Sequence, residues 1–393
     1  MDGGNSMDNS NINFIERRGT GSLKWDHADV LFNGEGLLPM WVADMDLGVP
    51  HQVQEALIER VNHPIFGYAR PHDSLYDAVI NWMKDKHNWT INKDQVFFSS
   101  GVVPSIAAAI NAFTEPGDKV MIQSPVYAPF YSCINENNRT LVDNPLIIRD
   151  NRLEINFEDF ENKLKDGVKL FILCSPHNPG GMVWSKADIT RMAELCKEYD
   201  VLIISDEIHA DLNLYGNEHT PIAKLNPNSI TLMAPSKTFN IAGLQASLAI
   251  AENPEIMKKL TGQFLKQGFY GLNVLAYPAM EAAYTYGADW LKEAVSVIED
   301  NVELVTRFIN DKLPAVNVIK PEASFLVWID LRGLDITDSE ITKRLIQKGR
   351  IALEPGAKFG KAGSGFVRMN IGCSPETVKE GLNRLYTAFD DLI

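Results

Sequence analysis

Six short apolar runs, each followed at once by a polar turn, constrain the fold of this 393-residue chain more than any other feature. These runs are apolar throughout instead of alternating with polar residues, which is typical of strands buried on both faces. Helical stretches such as Lys186–Tyr199 separate several of them, so the pattern predicts an α/β sheet with helices on both sides. The predicted strands are Gln95–Ser99, Lys119–Gln123, Lys169–Cys174, Val201–Ser205, Ile230–Ala234 and Ala246–Ala251.

The turns that follow these strands predict one shared binding crevice. In an open α/β sheet, ligands bind beyond the carboxyl ends of the strands. Five turns there contain glycine, proline or ionisable residues: SSGVVPS, SPVYAP, SPHNPGG, SDEIHADL and APSKTFNIAG. We expect them to meet at one edge of the sheet.

Three ionisable residues in two of these turns are candidates for catalysis. Lys237 follows an apolar strand directly, where an amine can be buried, although an isolated lysine in a loop is usually solvated. Asp206 ends another strand, where a carboxylate must be paired or lose its charge. It could pair with a cationic ring nitrogen, cap a helix, or be a structural acid. His209 is expected near the same face, although such a histidine is often only a packing residue.

The remaining turns offer groups that could hold an anion and an aromatic ring. Gly101 precedes an alanine-rich helix, whose free amides around Val102 and Val103 could bind a phosphate. Tyr127 could stack on a flat ring or pack locally, and Asn178 could donate a hydrogen bond or stabilise its turn. Arg368 lies in the alternating segment Phe366–Gly372, where its guanidinium could grip a carboxylate at two points or form an exposed ion pair.

The C-terminal third has a different character, which predicts a second domain. From about Met280 the sequence contains charged helices such as Asp289–Lys312, followed by strands near Ser324–Leu331 and Phe366–Gly372. We predict a large domain over residues 46–282 and a small α/β domain over 283–393. Residues 1–45 are expected to pack with the small domain.

The ordered set of motifs resembles the fold-type I pyridoxal-phosphate (PLP) enzymes of the aminotransferase class I/II family. SPHNPGG, SDEIH, SKTFNIAGL, EPGAKFG and GFVRMNIG occur in the order found in that family, and the resemblance extends from about Pro39 to the C-terminus. It implies the fold of aspartate aminotransferase, with a large, mainly parallel seven-stranded sheet and a smaller α/β domain.

The resemblance also implies a role for each site residue. Lys237 would be the catalytic residue and carry PLP as a Schiff base. Arg368, Ala43 and Asn178 would bind the substrate. The other residues implied to bind the cofactor are Asp206, His209, Asn178, Tyr127, Val102, Val103, Ser236 and Tyr68.

Within this family, three segments resemble the MalY–PatB group of cystathionine β-lyases. They are PMWVADMD at Pro39–Asp46, FGYARP around Tyr68, and SDEIHADL. In that group, the position of Tyr68 reaches the cofactor phosphate of the neighbouring subunit, so a homodimer is implied. One departure from many aminotransferases is Gln245, where an arginine often clamps the phosphate. This departure favours the lyase over an aspartate-type transaminase.

The resemblance therefore implies a carbon–sulfur β-lyase that acts on L-cystathionine or a related S-substituted cysteine and releases a thiol, pyruvate and ammonia. An aminotransferase is the main alternative, because the same lysine and electron sink serve both reactions. A PLP fold that serves only as a binding or regulatory module is disfavoured, because Lys237 and Asp206 are both present.

Composition excludes several other classes of function. The net charge of -14 disfavours nucleic acid and anionic membrane surfaces as partners. The four cysteines form neither a CxxC pair nor a cluster at metal-ligand spacing, so we expect free thiols and no metal. No apolar run reaches the roughly 18 residues that a membrane helix needs, and the polar start does not match a signal peptide. These features predict a cytoplasmic protein.

Overall fold

A computed structural model describes residues 12–393 of the chain; residues 1–11 of the predicted N-terminal segment lie outside the described part. The large sheet contains seven strands, so the predicted fold class is confirmed. In chain order they are β1 (Val96–Ser99), β2 (Lys119–Ile122), β3 (Thr140–Asp143), β4 (Val168–Cys174), β5 (Leu202–Asp206), β6 (Ile230–Met233) and β7 (Ser247–Ile250).

The strands are mainly parallel and lie in the spatial order β1-β7-β6-β5-β4-β2-β3. Strand β7 is the exception, because it runs antiparallel to both β1 and β6. The carboxyl ends of β4, β5 and β6 therefore meet the amino end of β7 at one edge of the sheet.

Alternate residues of the central strands pack into different cores, which explains why these strands are apolar throughout. Leu170 and Ile172 of β4 share a core with Ile106 on one side of the sheet. Phe171 and Leu173 share the opposite core with helix residues such as Met192. With both faces covered, a polar residue inside the strand would be buried without water.

The small sheet contains four antiparallel strands in the order β8-β9-β11-β10. They are β8 (Asn317–Ile319), β9 (Leu326–Asp330), β10 (Glu354–Pro355) and β11 (Phe366–Asn370). The predicted alternation in β11 is wrong, because all five of its residues are buried. Its polar residues are covered by the segment that follows Pro39, which contacts Arg368 and Asn370.

Helices cover the large sheet and support the small one. The longer helices are His51–Asn62, Asp73–His87, Val102–Phe113, Pro129–Asn135, Phe157–Lys165, Lys186–Glu198, Pro254–Lys266, Ala276–Tyr286, Ala288–Lys312, Asp338–Arg344 and Pro375–Phe389. Three single-turn helices are Leu23–Asp26, Ala28–Leu31 and Pro235–Thr238. No helix within residues 12–393 is long and apolar enough to span a bilayer.

The N-terminal part lies against the C-terminal part. The short strand Leu38–Pro39 pairs in parallel with Ile351–Ala352.

A separate hairpin of Ile147–Arg149 and Arg152–Glu154 follows β3. The domain limits at residues 45/46 and 282/283 stay a prediction.

Candidate active site

A cavity of about 250 Å³ lies at the edge of the large sheet where the predicted turns converge. It contains nearly every residue that the sequence singled out. Its lining includes Ala43, Ser100, Gly101, Val102, Val103, Tyr127, Cys174, Asn178, Asp206, Ile208, His209, Ser236, Lys237 and Gln245. A larger open groove of about 1070 Å³ lies between the helices His51–Asn62, Asp73–His87 and Ala276–Tyr286, but none of the predicted site residues lines it.

Lys237 supplies the amine of this cavity. It lies in the single-turn helix directly after β6, and its Nζ donates a hydrogen bond to the carbonyl oxygen of Ala43 at 2.5 Å. Desolvation and the nearby charge of Arg368 lower the pKa of Lys237 to about 8, against the opposing charges of Asp44 and Asp206. A lowered pKa leaves more of the amine uncharged at neutral pH, as a nucleophile or base requires.

Asp206 supplies a buried carboxylate. It is the last residue of β5 and lies opposite Cys174 of β4. Its Oδ1 accepts a hydrogen bond from the amide of Ile208 at 3.1 Å. Desolvation raises the pKa of Asp206 to about 7, although that hydrogen bond and the charge of Lys237 oppose the increase. A cation placed against this carboxylate would restore its charge.

His209 and Tyr127 complete the central walls of the cavity. Desolvation, together with the charges of Lys237 and Arg368, lowers the pKa of His209 to about 3, so its ring is neutral. Its buried Nδ1 has no hydrogen-bond partner among the described residues. Burial raises the pKa of Tyr127, which keeps the phenol protonated. Its ring packs edge-on against Phe130, with the ring centroids 5.8 Å apart.

The helix Val102–Phe113 presents its amino end to the cavity. Gly101 precedes the helix without a side-chain cap, so the amides of Val102 and Val103 are free to bind a ligand. The helix dipole adds a partial positive charge there. Ser100, Ser236 and Gln245 supply further polar side chains to the lining. Lys237 is the only lysine or arginine among the lining residues.

Arg368 lies behind Asn178 and is not itself among the lining residues. Its Nη1 donates to Asn178 Oδ1 and its Nη2 to the Trp41 carbonyl oxygen, both at 3.0 Å. Burial lowers the pKa of Arg368, while the charge of Glu354 opposes this change. Its Nε has no hydrogen-bond partner within residues 12–393, although the residue is buried at 4% exposure. Oδ1 of Asn178 accepts from Arg368, which orients the side chain, and its amide nitrogen is the group that can donate to a ligand.

Tyr68, like Arg368, is absent from the lining, but unlike Arg368 it has no hydrogen bond to a lining residue among the described contacts. Its side chain is fully exposed, in a loop with exposed Ile65 and Phe66. The predicted contact across a subunit interface involves a second chain, so the contact stays a prediction.

Several groups that form the cavity were missed in the sequence. Cys174 and Ile208 contribute side chains from the ends of β4 and β5, and Ser100 lies beside the helix start. Cys174 has the spacing of an ordinary strand residue, so nothing in the sequence marks it. The contact that Ala43 makes with Lys237 runs through its backbone carbonyl, which any residue provides. Within residues 12–393, no histidine, cysteine or carboxylate cluster could hold a metal ion.

The described residues fit PLP. Asp206 is a desolvated carboxylate suited to a protonated ring nitrogen, and the unpartnered His209 Nδ1 lies in the same cavity. The free amides of Val102 and Val103 suit a phosphate. Lys237 carries an amine with a lowered pKa. These groups come from three separate turns but line one cavity.

Comparison with known proteins gives consistent matches over nearly the whole chain. The sequence model of the family described as aminotransferase class I and II matches residues 38–385. The chain is 47% identical over 378 residues to the cystathionine beta-lyase PatB of Bacillus subtilis, covering 95% of this chain and 98% of that protein. It is 33% identical over 381 residues to Protein MalY of Escherichia coli, covering 95% and 97%.

The fold also matches a solved structure closely. The crystal structure of cystalysin from Treponema denticola, which contains a pyridoxal 5'-phosphate cofactor, superposes with a TM-score of 0.92. The sequence identity is 34%, and the match covers 97% of this chain and 98% of that one.

Proposed function

The chain belongs to the aminotransferase class I and II family, and we propose that it is a PLP-dependent carbon–sulfur β-lyase. The observation that carries this proposal is the 47% identity to a cystathionine beta-lyase, together with a cavity in which Lys237 and Asp206 lie together. The substrate class is L-cystathionine or a related S-substituted cysteine. The products are a thiol, which is homocysteine in the case of cystathionine, together with pyruvate and ammonia.

PLP, when bound, supplies an aldehyde that reacts with amines and a ring that accepts the electron pair left on the α-carbon. Lys237 is the residue that would hold the aldehyde of the cofactor. Its amine would also accept the α-proton of the substrate, for which the lowered pKa is suitable. Asp206 would hold a proton at the ring nitrogen, and the neutral His209 lines the same cavity.

Substrate binding is assigned to Arg368 and its neighbours. The guanidinium already lies between Asn178 and the Trp41 carbonyl, which restrict its orientation. We assign it to the α-carboxylate of the substrate, with Asn178 and Ala43 in the adjacent wall. A fixed carboxylate orients the α-proton towards Lys237, and orientation of this kind accelerates the reaction. Once the α-proton is removed, the electron pair left on the α-carbon would expel the sulfur from the β-carbon, and the sulfur would take up a proton to leave as the thiol. Water then releases ammonia from the remaining three-carbon fragment to give pyruvate.

A homodimer with shared sites is part of the proposal. Tyr68 would bind the cofactor phosphate of the partner subunit, together with Val102, Val103 and Ser236 of that subunit. Exposure of Tyr68, Phe66 and Ile65 supports this, because these side chains form an apolar surface that a second subunit would cover. We further propose a cytoplasmic location and a contribution to methionine biosynthesis through the homocysteine released.

The test is a direct assay of the purified protein with L-cystathionine. We expect equal amounts of pyruvate and free thiol, and visible absorbance from bound PLP. The Lys237→Ala variant should lose both the lysine-linked absorbance and turnover. If pyruvate is absent with every S-substituted cysteine, but amino acid is consumed with a keto acid, the enzyme is the alternative aminotransferase.

A further inference from the structure

The segment Trp41–Asp46 contacts both basic side chains of the site. The carbonyl oxygen of Trp41 accepts a hydrogen bond from Arg368 Nη2 at 3.0 Å. Two residues further on, the carbonyl oxygen of Ala43 accepts a hydrogen bond from Lys237 Nζ at 2.5 Å. One short stretch of backbone therefore sets the surroundings of the substrate-binding guanidinium and the catalytic amine.

This stretch lies outside any regular strand, so side chains must fix its position. Asn370 Nδ2 donates to the carbonyl oxygens of Val42 and Asp44, both at 2.6 Å. Asn240 binds Met45 twice, donating to its carbonyl at 2.9 Å and accepting from its amide at 2.9 Å. These contacts hold the inner side of the segment.

Four charged residues hold its outer side, and we call them the N-terminal charge cluster: Arg17, Lys24, Asp44 and Asp46. Arg17 forks onto Asp44 at 2.7 and 2.8 Å, and its Nη1 also contacts Asp46 at 3.1 Å. Lys24 Nζ donates to Asp46 at 2.9 Å, although Lys24 is only 1% exposed. Because the cluster holds two cations and two carboxylates, its charges balance.

Stability of the fold alone does not require a cluster of ion pairs at this place. Buried or half-buried ion pairs lose much of their attraction to desolvation, and apolar residues often replace them without loss of stability. A planar arginine fork, however, fixes the orientation of a carboxylate better than apolar packing does. The fork on Asp44 fixes the residue immediately after Ala43.

We propose that the N-terminal charge cluster is a positioning device for the reaction, which holds the Ala43 carbonyl against the amine of Lys237. Asp44 and Arg17 are its central positioning residues. The inference rests on the proposed function in one respect, namely that Lys237 is the residue that reacts with PLP. When the substrate displaces Lys237, the Ala43 carbonyl is the acceptor that retains the freed amine beside the α-proton.

The charge of Asp44 adds a second effect. It raises the pKa of Lys237 against the lowering by burial and by Arg368, in the same direction as the charge of Asp206. Neutralising Asp44 should therefore destabilise a positive charge on the Lys237 nitrogen and leave the neutral His209 unaffected. A residue with a structural role alone would not produce this change.

The decisive variant is Asp44→Asn in the PLP-loaded enzyme. We expect the pH midpoint of its visible absorbance to move down by about 0.5 unit or more, since an opposite charge near the nitrogen is lost. The kcat should fall roughly 10-fold because the amine is less well positioned, while KM changes by less than about threefold. The matched control is Asp166→Asn, which removes an exposed carboxylate paired with Lys119.

A second pair of variants separates orientation from charge. Arg17→Lys keeps the charge but loses the fork, and it should lower kcat with little change in the absorbance midpoint. Arg149→Lys, at an exposed arginine paired with Glu154, should change neither. Melting temperatures of all four variants identify any that fail to fold.

The outcomes distinguish this inference from the function on which it rests. If the wild type binds PLP and releases pyruvate, but Asp44→Asn retains the wild-type midpoint and kcat, the positioning role is wrong. If the two control variants change as much as the cluster variants, it is also wrong. If the wild type develops no visible absorbance with PLP, the proposed function fails first, and the positioning role fails with it.

Discussion

Asp206 is a carboxylate whose burial favours the protonated form until a cation lies against it. Its folded pKa of about 7 is above its ordinary value of 3.8. The cofactor-free folded protein therefore keeps a proton that the unfolded chain releases between these values. The resulting contribution to the free energy of unfolding is present below about pH 4 and is lost as the pH rises through 7.

The variant Asp206→Asn tests this burial cost. At pH 8 and without PLP, we expect it to melt at a higher temperature than the wild type, because asparagine carries no charge to desolvate. With PLP and substrate, kcat should fall roughly 100-fold or more, since the ring nitrogen loses its partner. Calorimetry and pyruvate assays measure the two effects.

At pH 8, the titration of His209 does not affect the melting temperatures compared for Asp206→Asn and the wild type. Its folded pKa of about 3 lies below the ordinary 6.5, so its contribution to stability is present above pH 6.5 and is lost as the pH falls towards 3. At pH 8 this ring is neutral in both states.

Near-normal turnover of Asp206→Asn would show that the carboxylate is only structural.

Arg368 is buried with two of its hydrogen bonds directed to Asn178 and Trp41. Arg368→Lys keeps the charge but loses the planar two-point grip. We expect KM for L-cystathionine to rise and kcat/KM to fall roughly 100-fold, which corresponds to about 2.7 kcal/mol. Pyruvate and thiol should stay the products, because the leaving group on the β-carbon commits the reaction to elimination. Unchanged kinetics would remove Arg368 from the substrate site.

At the residue scale, the sequence was most informative where an ionisable group follows an apolar strand. Lys237 and Asp206 became candidates in this way, because a charge at the end of a buried strand must be paired or neutralised. The Trp41 and Ala43 carbonyls could not be found, since backbone groups have no identity in a sequence. The N-terminal charge cluster was also missed, because arginine and lysine are common on any protein surface and nothing marks Arg17 and Lys24 as buried.

The helix Val102–Phe113 contributes to the site as an element, through its amino end. Val102 is its first residue, where proline is tolerated because no helical hydrogen bond is lost. Val102→Pro should therefore preserve the helix, although it changes the packing of a buried side chain. It removes one amide donor, so we expect PLP to bind roughly 10-fold more weakly, as for a hydrogen bond to a charged group.

The control is Val103→Ala, which trims the neighbouring side chain and keeps both amides. A fluorescence titration of the cofactor-free protein with PLP gives the affinities. Equal affinity in Val102→Pro and wild type would exclude that amide from the phosphate site.

At the element scale, the buried strands were located to within about two residues, because both of their faces are apolar. Strand β3 was not identified, since Thr140–Asp143 lies at the sheet edge and carries polar residues. The hairpin Ile147–Arg149 and Arg152–Glu154 was also missed. Its first strand is exposed at all three residues, so it has no buried face that would produce a strand pattern in the sequence. Strand β11 was located, but the burial of its polar residues depends on a distant segment that covers it.

The whole molecule was predictable mainly through the resemblance to a known family. Spacing and periodicity predict a covered α/β sheet but give neither the strand order nor the reversed direction of β7. Those features depend on which loops cross the sheet, and such long-range pairing leaves no local pattern in the sequence. The proposed assembly has the same limit, because exposure of Tyr68 is evident only in the folded chain.

Tyr68→Phe tests the proposed shared site. Loss of the hydroxyl should weaken PLP binding roughly 10-fold, while the phenyl ring preserves the subunit contact and hence the dimer mass. Tyr270→Phe, at another exposed tyrosine, should alter neither property. Light scattering gives the mass, and PLP titration gives the affinity. A fully active monomer would exclude Tyr68 as a ligand to the partner subunit's cofactor.

The reversed direction of β7 has a consequence for the spacing of the site. Because β7 starts at the edge where β6 ends, the chain returns at once from Lys237 through residues 238–246 to the entrance of β7, where Gln245 lines the same cavity. One short loop therefore brings both Lys237 and Gln245 to the cavity. Its length sets the separation of these two side chains, so the insertion of one residue there should impair the site more than an insertion after β4 or β5.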